Sequence, residues 1–165
     1  MGADFAGGWT RESSNDPRVS LSRSGYTLLY AGCPILCRSQ LQTTIALSTS
    51  EAEYIALSTA IRASIITLRL SKELPYNMPG IESVRTSVMC KVYEDNQSTV
   101  IMAKLTKPIH RSKHISTKYH HFRQYVQSKL IAIEHAYSIS QLADIFTKPV
   151  VPALFTSLRK KLLGW

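Results

Sequence analysis

The chain has 165 residues, of which 44% are hydrophobic and 19% charged, a balance typical of one globular domain that can bury its own core. We expect no membrane partner, because no run of 18 uninterrupted apolar residues is present, and no secretion, because no signal peptide is visible. The odd number of cysteines, three, favours reduced thiols and a location in the cytoplasm or nucleus. The net charge of +9 would be explained by solubility alone, but binding to a polyanionic partner is the favoured interpretation.

The first 47 residues predict short strands separated by turns. Residues 1–24 are polar and rich in turn-forming residues, which indicates a loop after a very short strand. Aromatic and apolar residues bounded by glycines predict a strand at 25–31. Residues 33–37 and 43–47 are expected to form further strands of the same meander.

A long helix is predicted next. Ser48 and Glu51 have the three-residue spacing of a capping box, in which the two side chains bond to free N–H groups at the helix start. Apolar residues then recur every three or four positions from Tyr54 to Leu68, and the helix is expected to stop before Pro75.

The second half of the chain predicts alternating strands and helices. Asn96 is suited to cap a short helix, and Pro152 is suited to begin the last one, with Gly164 just past its end. The predicted elements are a strand at 88–93, a helix to 103, a helix with a basic outer face at 115–126, a strand at 130–136, a short helix at 139–145 and a helix from 152. This order predicts an α/β fold in which helices flank a mixed β-sheet, within one domain of residues 1–165 whose last part, 152–165, is a helical extension.

A basic segment runs from residue 104 to 123 without an acidic residue. Clustered lysines and arginines are typical of a surface that contacts nucleic-acid phosphates, although a solvated helix face remains the simpler alternative. Zinc binding by the histidines of this segment is less favoured, because their spacing matches no usual zinc motif. The candidate nucleic-acid-binding residues are Lys104, Lys107, Arg111, Lys113, His114 and Lys118.

Acidic residues are scarce in this chain, and only four of the 11 are aspartates. Asp95 lies at the carboxyl end of a predicted strand, where ligands bind in open α/β sheets, and capping of the next helix is the equally weighted alternative. Glu94 is expected on the opposite face of that strand, so that Glu94 and Asp95 cannot serve one site.

Three further carboxylates have no settled role from the local sequence. Glu53 lies in the mostly apolar first turn of the long helix, where it either extends to water or serves a site. Asp144 borders an apolar stripe and by itself is more typical of an exposed helix charge, while nothing local explains Asp4. Carboxylates at the edges of separate elements could converge on two divalent ions about 4 Å apart, a pair that cleaves phosphodiester bonds, although spacing alone does not show convergence.

Seven short motifs follow one another along nearly the whole chain. They are Ala-Asp-Phe-Ala-Gly at 3–7, Ser-Gly-Tyr at 24–26, Leu-Ser-Thr-Ser-Glu-Ala-Glu-Tyr at 47–54, Glu-Asp-Asn-Gln-Ser at 94–98, Arg-Ser-Lys-His-Ile at 111–115, Lys-Tyr-His at 118–120 and Leu-Ala-Asp-Ile-Phe-Thr-Lys-Pro at 142–149. In this order they resemble the ribonuclease H region of copia-type retrotransposon polyproteins, and the motifs at 47–54 and 142–149 are the most specific in combination.

The resemblance implies a ribonuclease H fold and cleavage of the RNA strand of RNA–DNA hybrids during reverse transcription, with Mg²⁺ or Mn²⁺ as the cofactor. The family's glutamate and two of its aspartates would fall on Glu53, Asp95 and Asp144, which are therefore the expected catalytic and metal-binding residues. The implied partners are the hybrid and the reverse transcriptase region of the same polyprotein, in cytoplasmic virus-like particles or in the nucleus.

The first metal-binding aspartate of the family pattern is missing from this sequence. Its position is Gly2, and the later aspartate of the pattern is Asp4, a doubtful fourth catalytic residue whose carboxylate would be displaced by roughly 6–7 Å along the strand. The first strand, which is central in the family's sheet, is expected to be largely truncated. Activity is therefore in question, and the alternatives are a non-catalytic nucleic-acid-binding module and a degenerate structural remnant of the polyprotein.

Overall fold

A computed structural model describes residues 1–12, 15–73, 89–105 and 120–165 of the chain. Within these residues the fold is of the predicted mixed α/β class, with five strands and four α-helices. The strands are β1 (Gly2–Asp4), β2 (Arg23–Tyr30), β3 (Cys33–Leu41), β4 (Cys90–Glu94) and β5 (Ile131–His135), and the helices are α1 (Thr49–Glu73), α2 (Gln97–Lys104), α3 (Arg123–Gln127) and α4 (Pro152–Leu163). None of the helices described is both long enough and apolar enough to span a bilayer.

The first three strands form an antiparallel sheet in the order β1-β2-β3. The short β1 pairs with the beginning of β2, where Gly2 lies opposite Gly25 and Asp4 lies opposite Arg23. β2 then pairs with β3 along its whole length, as the predicted meander requires.

The prediction of a further strand at 43–47 is wrong, since these residues form bends and irregular backbone. The Gln42 N–H still bonds to the Ser22 carbonyl oxygen at 2.8 Å, but the Gln42 side chain donates to the Ala52 carbonyl oxygen on α1, also at 2.8 Å. This side chain ties the end of the sheet to the helix, so the chain leaves the sheet after β3 and turns directly into α1.

The last two strands form a separate parallel pair, in which Val92 of β4 lies opposite Ile133 of β5. The two sheets meet at the N-terminus, where the Met1 ammonium donates a hydrogen bond to the Tyr93 carbonyl oxygen at 2.9 Å. β1 has three residues and does not pair with β4, so the strands of the described residues form a three-stranded antiparallel sheet and a parallel pair.

Helix α1 packs against β1, β2 and β4 and carries much of the core. The Ser48 hydroxyl accepts a hydrogen bond from the Glu51 N–H at 3.1 Å, and the Glu51 carboxylate accepts one from the Leu47 N–H at 2.8 Å, so the predicted cap is present. Tyr54 in the next turn is fully buried. The cap and the buried face together fix the direction in which Glu53 points.

The other helices follow their predicted caps. The Asn96 side chain accepts a hydrogen bond from the Thr99 N–H at 3.1 Å at the start of α2. α4 begins at Pro152 and ends at Leu163, and Gly164 caps it with a φ of 81°, the left-handed conformation that favours glycine. Part of the helix predicted at 115–126 lies outside the described residues, and α3 forms its end.

The short helix predicted at 139–145 consists of two 3-10 turns, Ser138–Ser140 and Leu142–Phe146. Each turn closes with backbone bonds to the third residue back, such as that from the Thr147 N–H to the Asp144 carbonyl oxygen at 3.1 Å. The tighter winding keeps Asp144 largely buried, next to the start of β1.

Candidate functional site

Three carboxylates from two distant parts of the chain meet at the carboxyl end of β4. Oxygen atoms of Glu53, Glu94 and Asp95 lie within 4.8 Å of one another. Glu53 comes from the first turn of α1, whereas Glu94 ends β4 and Asp95 follows it. We call these three residues the carboxylate cluster.

Neighbouring elements hold the first turn of α1 at this cluster. The Ser50 carbonyl oxygen accepts a hydrogen bond from the Thr99 hydroxyl of α2 at 3.2 Å. The backbone N–H of Ala3 in β1 lowers the pKa of the Glu53 carboxylate, which partly offsets the effect of burial. Helix α2 and strand β1 therefore place Glu53 between them.

Glu94 belongs to the cluster, so the expectation that Glu94 and Asp95 cannot serve one site is wrong. Alternate residues of β4 are buried, with Val92 and Glu94 on the inner side and Tyr93 48% exposed on the outer side. β4 ends at Glu94, so the alternation of strand faces does not extend to Asp95. The chain turns there, and the Asn96 N–H donates to the Glu94 carboxylate at 3.0 Å.

The end of β5 and the loop after it orient Asp95. Oδ2 of Asp95 accepts a hydrogen bond from the Ser138 hydroxyl at 2.8 Å, and the Asp95 carbonyl oxygen lies 3.0 Å from His135 Nε2. Sequence reasoning singled out neither Ser138 nor His135 as a site residue, because no local pattern connects residues that are 40 or more positions apart.

Asp144 is outside the group of three whose oxygens lie within 4.8 Å of one another. It is 5% exposed, and its carboxylate forms an ion pair with Lys148 Nζ at 2.8 Å. The lysine lies one turn further along the chain, within the motif at 142–149. Of the carboxylates predicted from sequence, Glu53 and Asp95 therefore meet directly, while Asp144 is paired with a lysine beside them.

The first residues of the chain point in different directions. A Cβ on Gly2 would lie 3.6 Å from Asp144 Oδ1, so the position that lacks the expected aspartate faces the acidic site. The Asp4 carboxylate instead lies against Gly7 and leaves no room for a Cβ there. Asp4 is thus outside the carboxylate cluster as the structure describes it.

Burial dominates the electrostatics of the acidic residues. It raises the pKa of Glu53 to about 8, and the charges of Asp95 and Asp144 add to this effect. Burial also raises the pKa of Glu94 to about 9, with the charge of Glu53 as the next cause. The pKa of Asp144 is likewise raised by burial. Without a bound cation, the carboxyls of Glu53 and Glu94 therefore favour the protonated form at neutral pH.

The cation-free protein is expected to lose stability as the pH rises from about 5 to 9. The folded protein keeps protons on Glu53 and Glu94 that the unfolded chain releases above about pH 4.5, so a rising pH favours unfolding until it passes 8–9. Burial lowers the pKa of the Met1 ammonium, so the folded protein releases this one proton at a lower pH than the unfolded chain does. This group therefore opposes the loss of stability with rising pH. In urea unfolding with a chelator present, we still expect the free energy of unfolding to fall steadily across this range.

Glu94→Gln tests the origin of this pH dependence, because an amide has no charge to bury. The variant should show a flatter dependence of stability on pH than the parent chain. Glu134→Gln is the matched control, since Glu134 is a partly exposed residue of β5 that pairs with Lys91 at 3.1 Å. A dependence as steep in Glu94→Gln as in the control would contradict the assignment.

The carboxylate cluster has the donor chemistry of a divalent cation site. Glu53 Oε2 and Glu94 Oε2 are buried and have no hydrogen-bond partner among the residues described. Leaving a buried polar atom unpaired costs free energy, and carboxylate oxygens are the ligands that Mg²⁺ and Mn²⁺ prefer. The residues present therefore fit such an ion.

Much of the predicted nucleic-acid surface lies outside the described residues. Lys104 is described, at the exposed end of α2. The other candidates, Lys107, Arg111, Lys113, His114 and Lys118, fall within 106–119 and remain predictions.

Comparison with known proteins relates the chain to retrotransposon polyproteins. It is 34% identical over 143 residues, 87% of its length, to the retrovirus-related Pol polyprotein from transposon TNT 1-94 of Nicotiana tabacum. Over 160 residues, 97% of its length, it is 30% and 29% identical to the retrovirus-related Pol polyproteins from transposons RE1 and RE2 of Arabidopsis thaliana. The chain spans about 10% of the length of each of these relatives. No protein-family model matches it, and no solved structure matches it.

Proposed function

We propose that this chain is a ribonuclease H-type domain of a retrotransposon polyprotein, which cleaves the RNA strand of RNA–DNA hybrids with Mg²⁺ or Mn²⁺. The observation that carries the proposal is that Glu53 and Asp95, from α1 and from the end of β4, bring carboxylate oxygens within 4.8 Å of each other. These are two of the three metal-binding residues expected from the sequence. The similarity to Pol polyproteins supports the polyprotein setting.

In this proposal Glu53 and Asp95 hold the divalent cation, and Asp144 borders their site. When bound, the ion would activate a water molecule and stabilise the leaving oxygen. The chain's own residues prepare the site, since the Ser138 hydroxyl orients Asp95 and the Lys148 ammonium balances the charge of Asp144.

We propose that the basic segment 104–123 contacts the phosphates of the substrate. Lys104 ends α2, the helix that begins beside Asp95, and the uninterrupted basic segment follows it. Contacts to phosphates would position the hybrid, and contacts to 2′-hydroxyls would distinguish its RNA strand. The reverse transcriptase region of the same polyprotein is the proposed protein partner.

Cleavage of a labelled RNA–DNA hybrid tests the proposal. We expect slow, cation-dependent cleavage of the RNA strand, and we expect Glu53→Gln and Asp95→Asn each to reduce it by at least about tenfold, because each removes a charged ligand. Glu134→Gln should leave the rate unchanged. Equal rates in all four proteins, or cleavage that persists in a chelator, would end this proposal.

A non-catalytic hybrid-binding module is the second candidate. It is favoured by the pairing of Asp144 with Lys148 and by glycine at position 2, which together leave the acidic site with fewer free carboxylates. This candidate predicts hybrid binding that weakens steeply with salt, with no cleavage under any cation. Fluorescence anisotropy across a salt series, together with the cleavage assay, separates the two candidates.

A further inference from the structure

We propose that Glu94 supplies the metal-binding carboxylate that the chain lacks at Gly2, so that the divalent cation site consists of Glu53, Glu94 and Asp95. The catalytic meaning of this site rests on the proposed function. Cation binding itself can be measured without any cleavage, so the two proposals can fail separately.

The environment of Glu94 is that of a ligand and not of a structural residue. Glu94 is 0% exposed, yet only one of its oxygens is paired: one accepts a hydrogen bond from the Asn96 N–H at 3.0 Å, and Oε2 has no partner within the described part of the chain. A half-satisfied, fully buried carboxylate opposes folding, and an apolar side chain of similar size would fit the strand at lower cost. A cation shared with Glu53 and Asp95 removes this penalty.

The position of Glu94 explains how it can replace a residue of β1. The hydrogen bond from the Met1 ammonium to the Tyr93 carbonyl oxygen places the start of β1 directly beside the end of β4. Gly2 and Glu94 each follow one of the bonded residues, so a carboxylate at position 94 enters the acidic site from the adjacent strand. The longer glutamate side chain then reaches Glu53 and Asp95.

The pairing of the remaining acids decides which carboxylates are available to the cation. Asp144 already has a positive partner, because Lys148 Nζ lies 2.8 Å from its Oδ2. Glu53 Oε2 and Glu94 Oε2 are the buried carboxylate oxygens without a partner among the described residues. Glu53 and Asp95 are only partly buried, which leaves the cluster open to solvent on one side. The cation therefore binds at the cluster without first displacing a lysine.

Titration calorimetry of the 165-residue chain with Mn²⁺ tests this site. Glu94→Gln is expected to weaken binding by at least about tenfold and, in a chelator, to raise the melting temperature. These opposite effects are expected of a metal ligand. Replacing a glutamate with a purely structural role would lower the melting temperature and leave the Mn²⁺ affinity unchanged. The matched control Glu134→Gln should alter neither quantity.

A swap of the carboxylate provides the decisive comparison. In the double variant Gly2→Asp/Glu94→Gln, the carboxylate moves from β4 to β1, and Mn²⁺ affinity is expected to return towards that of the parent chain. Glu94→Asp keeps the charge on a shorter side chain, so it should bind Mn²⁺ more tightly than Glu94→Gln does. It replaces Glu94→Gln in the comparison if that variant does not melt cooperatively.

Two outcomes separate the inference from the proposed function. Mn²⁺ affinity that is unchanged in Glu94→Gln would overturn the inference, even if the parent chain cleaves hybrids. Tight Mn²⁺ binding that depends on Glu94, in a chain that cleaves no hybrid, would support the inference and end the proposed nuclease activity.

Discussion

Replacing Gly2 by aspartate is expected to raise the rate of RNA-strand cleavage by roughly 100-fold, the upper end of the effects seen when groups around a metal are removed. A Cβ at position 2 would lie 3.6 Å from Asp144 Oδ1 and 3.9 Å from the Ala143 Cβ, which are ordinary contact distances. The new carboxylate would link Asp144 to the carboxylate cluster and complete the oxygen set for a second cation.

The same substitution should destabilise the cation-free protein, because it places a further carboxylate beside Asp144 in a site where burial already penalises the charged form. Cleavage is therefore measured at saturating Mn²⁺, with the folded fraction checked by circular dichroism. Gly8→Asp is the matched control, since its Cβ would lie 3.5 Å from the Val19 carbonyl oxygen, away from the cluster. Tighter Mn²⁺ binding in Gly2→Asp without faster cleavage would favour the non-catalytic module.

Adding four strand-forming residues before Met1 is expected to raise the melting temperature by roughly 5–10 °C. A cavity of about 670 Å³ lies between β2 and β4, and Met1 lines it. Continuing the β1–β2 register places Met1 opposite Tyr26 and the four added residues opposite residues 27–30. The extension would therefore run through the cavity as a strand between the two sheets.

The walls of this cavity explain the expected gain. They include five large apolar side chains that are each at least 39% exposed: Leu29, Tyr30, Ile35, Met89 and Tyr93. A central strand would cover part of this surface, and it would bond to the facing edges of β2 and β4. It would also convert the buried Met1 ammonium into an amide. After the entropy cost of ordering four residues, a net gain of about 2–3 kcal/mol in the free energy of unfolding remains. For a chain of this size, each kcal/mol raises the melting temperature by a few degrees.

Two control extensions separate strand formation from removal of the terminal charge. A Gly-Ser extension of the same length also converts the ammonium into an amide, but it has little tendency to form a strand. The test extension alternates Val and Thr, which favour strands. The second control carries one proline in this Val-Thr extension, which removes one hydrogen bond of the strand ladder. Thermal melts that are equal for the Val-Thr, Gly-Ser and proline-containing chains would show that no strand enters the cavity.

The sequence by itself determined the elements whose signals are local. The cap formed by Ser48 and Glu51, the Asn96 cap of α2, and Pro152 with Gly164 at the two ends of α4 all act within one helical turn. Such patterns can be recognised without knowing what lies across the core. The same holds for the apolar spacing of α1, which predicted a helix that stops before Pro75.

The tertiary structure alone decided how the acidic residues combine. Strand alternation suggested that Glu94 and Asp95 point apart, but β4 ends between them and the chain turns. The bond from Ser138 to Asp95 likewise has no signal in the chain that could rank it above other polar contacts, because the two residues are 43 positions apart. The pairing of Asp144 with Lys148 is different, since its four-residue spacing is a local signal. Burial and charge pairing are sums over neighbours from distant segments, so they exist only once β1, α1 and β4 are packed together.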